Sequence, residues 1–125
     1  MKIIYLAHPI ASDDQFTTVE NIADLLRIIR YVNLGKLSFD AHAFNSVEVD
    51  NTLVPMAPYI GDCLSMQDDN PLHRKRGIEN DIAMIETGIF EEIWLTGHKI
   101  SLGMQEEVKM FVAQGKKVVN LIGKI

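Results

Sequence analysis

Two adjacent glutamates, Glu106 and Glu107, follow Ser101 and Gly103 and have different surroundings. At about 100° per residue with Met104 at zero, Val108 falls near 40° and Phe111 near −20°, which marks a buried stripe. On that wheel Glu106 falls at about 200°, toward solvent, and Glu107 at about −60°, on the flank of the stripe. A carboxylate pressed toward protein needs partners, and Tyr5 and Ser101 are candidates. A held carboxylate of this kind is suited to acid, base or nucleophilic work. Asp81, after Asn80, is a second carboxylate. It reads either as favourable placement in a helix dipole or as part of a site. Arg74, Lys75 and Arg76 form a basic cluster in an acidic chain. They read as a solvated face or as an anion contact at the mouth of a site. Cys63, beside Leu64 and Met66, reads as a small core or surface residue rather than a nucleophile. His8, His42, His73 and His98 are scattered without ligand spacing, so no metal site is expected.

The elements that must position these residues alternate. Lys2 to Ala7 is a short apolar run of the kind found in strands buried on both faces, and it ends at His8-Pro9. Thr17 with Glu20 has the form of a capping box and predicts the start of a helix that Gly35 stops. Residues 36–51 carry no clean period and read as an insertion. Thr52 to Met56 predicts a second strand, and the polar stretch from Gly61 to Asn70 a mobile flap. Ile78, Ile82, Ile85 and Ile89, bracketed by Gly77 and Gly88, predict a second helix. Glu92 to Thr96 predicts a third strand. Met104, Val108, Phe111 and Val112 predict a third helix ending at Gln114-Gly115-Lys116. Lys117 to Ile122 predicts a fourth strand.

This order predicts a three-layer α/β fold, flavodoxin/Rossmann-like, with a four-stranded parallel sheet of order 2-1-3-4 and helices on both faces. In such sheets ligands sit beyond the carboxyl ends of the strands, near the switch point. Strand 1 delivers His8 and Pro9 there, and strand 3 delivers Gly97 to Gly103. Ser101 begins the next helix, and it reads as an N-cap or as part of a phosphate cradle.

The chain has 125 residues, 47% hydrophobic and 23% charged, with 12 basic and 17 acidic residues and a net charge of −5. This is one domain's worth of ordinary globular sequence. The acidic balance disfavours nucleic acid as a partner. No apolar run reaches the ~20 residues of a membrane span, and one cysteine allows no internal disulfide. A cytoplasmic protein without a membrane partner is expected. There is no Gly-x-Gly-x-x-Gly and no Walker loop, so neither a dinucleotide cofactor nor ATPase chemistry is supported.

The run Ser101-Leu102-Gly103-Met104-Gln105-Glu106-Glu107 has the form S-x-G-x-x-x-E, and eight residues after Glu107 stand Gly115-Lys116 and a strand. With Tyr5-Leu6-Ala7-His8-Pro9, Val54-Pro55-Met56-Ala57-Pro58 and Glu92-Ile93-Trp94-Leu95, it resembles the nucleoside 2-deoxyribosyltransferase superfamily, including the deoxynucleoside 5′-monophosphate N-glycosidases. The resemblance covers most of the chain outside 36–51. It implies that Glu107 is the catalytic nucleophile, that Tyr5 hydrogen-bonds it and that Asp81 contacts the base. Ser101 falls where monophosphate-specific members bind the 5′-phosphate, with Gly103 in the same helix turn, and His8, Pro9, Gly97 and Arg74 complete the expected binding set. The implied reaction cleaves or transfers an N-glycosidic bond with retention, through a covalent glycosyl-enzyme and without a cofactor. The implied partners are a nucleoside or nucleotide and other copies of the chain, in a homodimer or higher homo-oligomer. His8-Pro9 departs from the smaller residues usual in such enzymes. The alternative function is a non-catalytic module that binds or sequesters a nucleotide.

Overall fold

The computed structural model describes residues 1–12, 14–34, 52–67 and 69–124. The predicted insertion at 36–51 and the predicted helix stop at Gly35 lie outside them. The elements are β1 (Lys2–Ala7), α1 (Gln15–Leu34), β2 (Leu53–Met56), α2 (Ile60–Ser65), α3 (Pro71–Glu86), β3 (Glu92–Leu95), α4 (Leu102–Ala113) and β4 (Lys117–Asn120). The strands form one parallel sheet of order β2-β1-β3-β4, as the alternation predicts. Tyr5 stands opposite Met56 on β2 and Ile93 on β3, so it occupies an interior strand.

Side chains alternate across a strand, and β1 shows why the sheet needs cover on both faces. Ile4 and Leu6 point into a core with Leu25, Ile28 and Val32 of α1, and with Leu53 and Trp94. Tyr5 and Ala7 point into a second core with Ile85 of α3, Met104 and Phe111 of α4, and Phe90. The three layers are thus α1, the sheet, and α3 with α4. The Tyr5 ring meets Phe90 edge-on, centroids 5.2 Å apart, and tilts against Phe111 at 5.4 Å. These are favourable aromatic geometries, and they fix where the Tyr5 hydroxyl points.

Three local predictions are revised. Helix α1 starts at Gln15, before the predicted box at Thr17. Asp14 is its cap, accepting from the Phe16 N–H at 3.1 Å and the Thr17 hydroxyl at 2.8 Å. Helix α3 starts at Pro71, well before Gly77. Asn70 caps it, accepting from the Leu72 and His73 N–H groups, and Pro71 is suited to a first helical position. Residues 61–65, expected in a flap, belong with Ile60 to helix α2. That helix buries no residue fully, so it left no hydrophobic period to read.

Candidate functional site

A cavity of about 430 Å³ opens between α2, α3, α4 and the loop after β1, at the carboxyl ends of the strands. Ile78 and Ile82, two of the residues whose spacing predicts the helix, line it, and only Ile85 of α3 is buried. A cavity wall and a core face carry the same helical period, so the sequence could not separate them. Ile10, Met66 and Met110 complete an apolar side, and Asp62, Asp81, Glu107, Arg74 and Ser101 supply polar groups.

Tyr5 stands behind this wall, fully buried. Its hydroxyl lies 2.6 Å from Asp81 Oδ1 and in hydrogen-bond contact with Glu107 Oε2. Asp81 comes from α3 and Glu107 from α4, and the two carboxyls also hydrogen-bond each other. Burial pushes the Glu107 carboxyl well above the ordinary carboxylate range; the hydrogen bond and charge of Asp81 push the same way, while the Tyr5 hydroxyl opposes. Burial, followed by the charges of Glu107 and Asp81, drives the Tyr5 phenol well above its ordinary value, so it stays a donor. One phenolic proton cannot serve two carboxylates, and two ionised carboxylates in contact repel. The cluster is satisfied when the pair shares one further proton. That leaves one carboxylic acid and one carboxylate facing a cavity, the division of labour that acid–base chemistry needs. Glu106 is exposed and paired with Lys109 at 3.0 Å, as the helix wheel predicts, and it also lines the cavity.

The other expected residues divide. His8, Arg74, Ser101 and Gly103 line the cavity. Both His8 ring nitrogens are turned to protein acceptors, Nδ1 at 2.7 Å from the Pro9 carbonyl and Nε2 at 2.8 Å from Asp24 Oδ2. The His8 hydrogen bond, with Arg27 on the other side, holds the Asp24 carboxyl below its usual range. His8 thus shapes the wall rather than offering a ring N–H to a ligand. Pro9 and Gly97 do not line the cavity; they pack on each other. A Cβ at Gly97 would lie 2.7 Å from Pro9 Cδ and 3.2 Å from His8 Nε2, and its φ of +95° suits glycine. Ser101 caps α4 by accepting from the Met104 N–H at 3.2 Å and is not a partner of Glu107. Its hydroxyl proton remains available to a ligand. Arg74 has no carboxylate partner among the described residues, whereas Lys75 and Arg76 both approach Glu79 at 3.9 Å.

Tyr59, Asp62 and Cys63 were not anticipated as wall residues. Tyr59 donates to the Leu6 carbonyl at 2.6 Å and tilts against the Tyr5 ring at 5.9 Å. Burial, with the nearby charges of Glu107 and Asp81, raises its phenol well above the ordinary value. The rule that ligands sit beyond strand ends could have found it, because it follows β2 as His8 follows β1. Among the described residues no group of three or more His, Cys, Asp and Glu is arranged to hold a metal ion. Among them, too, no helix is long and apolar enough to cross a membrane.

Residues 2–121 match the family described as domain of unknown function DUF7768, and the chain belongs to that family. No curated protein matches the chain. No solved structure matches it either.

Proposed function

We propose that this DUF7768 protein cleaves or transfers the N-glycosidic bond of a nucleoside or its 5′-monophosphate, with Glu107 as nucleophile. One observation carries the reading. Two carboxyls 26 residues apart, on different helices, meet at the hydroxyl of one buried tyrosine beside a ligand-sized cavity. Binding a nucleotide does not require this costly arrangement, whereas displacing a base does.

The steps follow from the shared proton. Burial favours it on Glu107. A base nitrogen placed before Asp81 draws it across the Asp81–Glu107 hydrogen bond, and Glu107 is left ionised with Tyr5 donating to it. A Glu107 oxygen attacks C1′, the C1′–N bond breaks, and its electron pair stays on the base, which takes the proton from Asp81. The glycosyl ester is then resolved by water, or by a second base, which gives up a proton to Asp81 as it attacks C1′. Glu107 leaves as a carboxylate, and the configuration at C1′ is retained. Ser101 and the first turn of α4 offer O–H and N–H donors to a 5′-phosphate, with Arg74 near the mouth.

The test is chromatography of free base after incubation with ribo- and deoxyribonucleosides and their 5′-monophosphates, with and without a second base as acceptor. Release that disappears in Glu107→Ala is expected. No release from any substrate overturns the proposal and leaves the nucleotide-binding module.

A further inference from the structure

Asp62 is a cavity-lining carboxylate for which the proposed chemistry has no use. It lies on α2, and its Oδ2 accepts from Asn80 Nδ2 at 3.3 Å. Helix α2 is itself tied down. Its last turn closes with the Met66 N–H donating to the Asp62 carbonyl at 2.9 Å, and the link to α3 is the next residue's, the Gln67 N–H donating to His73 Nδ1 at 2.9 Å. Helix α3 passes close to α2 at Gly77, where a Cβ would make ordinary contact with Asp62 Cβ at 3.8 Å and Met66 Cε at 3.7 Å. Asn80 and Asp81 are consecutive on α3 and their side chains point about 100° apart, but Asp62 and Asp81 line the same cavity. Ile78, Ile82 and Met66 give the same region an apolar lining suited to a flat ring.

A carboxylate is an acceptor only, with about four lone-pair positions over its two oxygens. Asn80 fills one. The remaining positions suit two neighbouring N–H donors, and a carbonyl presented there would be repelled. We propose that Asp62, moored by Asn80, reads the edge of the base and selects one with two adjacent N–H donors, as on the ring N–H and 2-amino group of guanine. This deepens the proposed function by naming the base class, and so rests on the same cavity. Hypoxanthine lacks only the 2-amino group, which makes it the discriminating comparison. A matched charged pair of hydrogen bonds corresponds to roughly tenfold or more in preference.

The experiment is equilibrium binding, which does not depend on turnover. Titration calorimetry of Glu107→Gln with the 5′-monophosphates of deoxyguanosine and deoxyinosine is expected to show at least about tenfold tighter binding of the guanine ligand. In Glu107→Gln with Asp62→Asn the ratio is expected to fall toward one, and Asn80→Ala, which frees the carboxylate, to lie between. Circular dichroism establishes that each variant is folded. Equal binding of the two ligands or a ratio unchanged by Asp62→Asn would each overturn the inference. Base release, measured separately, tests the glycosidic chemistry, so the two can fail independently.

Discussion

Glu107 works against the fold that holds it. Its carboxyl has an ordinary value of 4.5 and a value well above that in the folded protein, chiefly because it is buried and faces Asp81. Between the two values the folded chain keeps a proton that the unfolded chain releases, so stability falls as pH rises through that window. Glu107→Gln removes the titrating group. The variant is expected to lose turnover by about a thousandfold or more and to gain about 0.5–2 kcal/mol against unfolding at neutral pH. Denaturant melts at pH 5 and pH 8 check this: the wild type loses more stability between them than the variant does. A variant less stable than wild type at pH 8 would contradict the account of the carboxyl pair. Tyr5 acts in the opposite sense, favouring the ionised form of Glu107. The one-proton pair predicts a bell-shaped pH profile of kcat/KM. Tyr5→Phe is expected to move its acid limb to higher pH, because the nucleophile then ionises later.

At the scale of elements, the site depends on how β1 and β3 end. Gly97 follows β3 and lets His8-Pro9, which follow β1, close on it. An alanine there would meet Pro9 and hold an unfavourable φ, so Gly97→Ala is expected to cost about 1–3 kcal/mol, read as a lower midpoint in chemical denaturation. Because His8 forms part of the cavity wall, ligand affinity should fall with it. The helix starts matter as much. Ser101 sets the first turn of α4, which turns Glu107 to the Tyr5 hydroxyl and leaves Glu106 exposed at the cavity. Asn70 sets α3, which places Asp81 and Arg74 on one face. Ser101→Ala is expected to cost about 1 kcal/mol for the lost cap. A loss of turnover confined to phosphorylated substrates would add a binding role to that structural one.

At the scale of the molecule, the two faces of the sheet do different work. Leu25 belongs to the core under α1, and Phe111 to the core that packs Tyr5 against α4. Truncating either is expected to cost several kcal/mol: about 2–5 for Leu25→Ala and about 3–5 for Phe111→Ala. Their effects on the reaction should differ. At a temperature where both variants are folded, Phe111→Ala is expected to lower kcat because the Tyr5 ring loses a wall, while Leu25→Ala keeps it. Equal kcat values in the two variants would show that Tyr5 is held by the sheet alone.

Much of this was legible in the residues. Alternating apolar runs and helical periods determined the parallel sheet and its order, since few right-handed crossover arrangements fit four such strands. The wheel position of Glu107 separated it from Glu106, because α4 has a regular buried stripe. The strand-end rule placed His8 and Ser101 at the right edge of the sheet. Periodicity found α3 but does not distinguish a buried face from a cavity wall, as Ile78 and Ile82 show, and it failed where a helix buries nothing, at α2. Pairwise geometry was also beyond it. Only the tertiary structure decided that Asp81 and Glu107 meet at one phenol, that His8 turns both nitrogens to protein, and that Asp62 enters the cavity. The reason is physical: a residue's period reports whether its face meets other atoms, whereas proton sharing depends on ångström distances between groups that the chain keeps far apart.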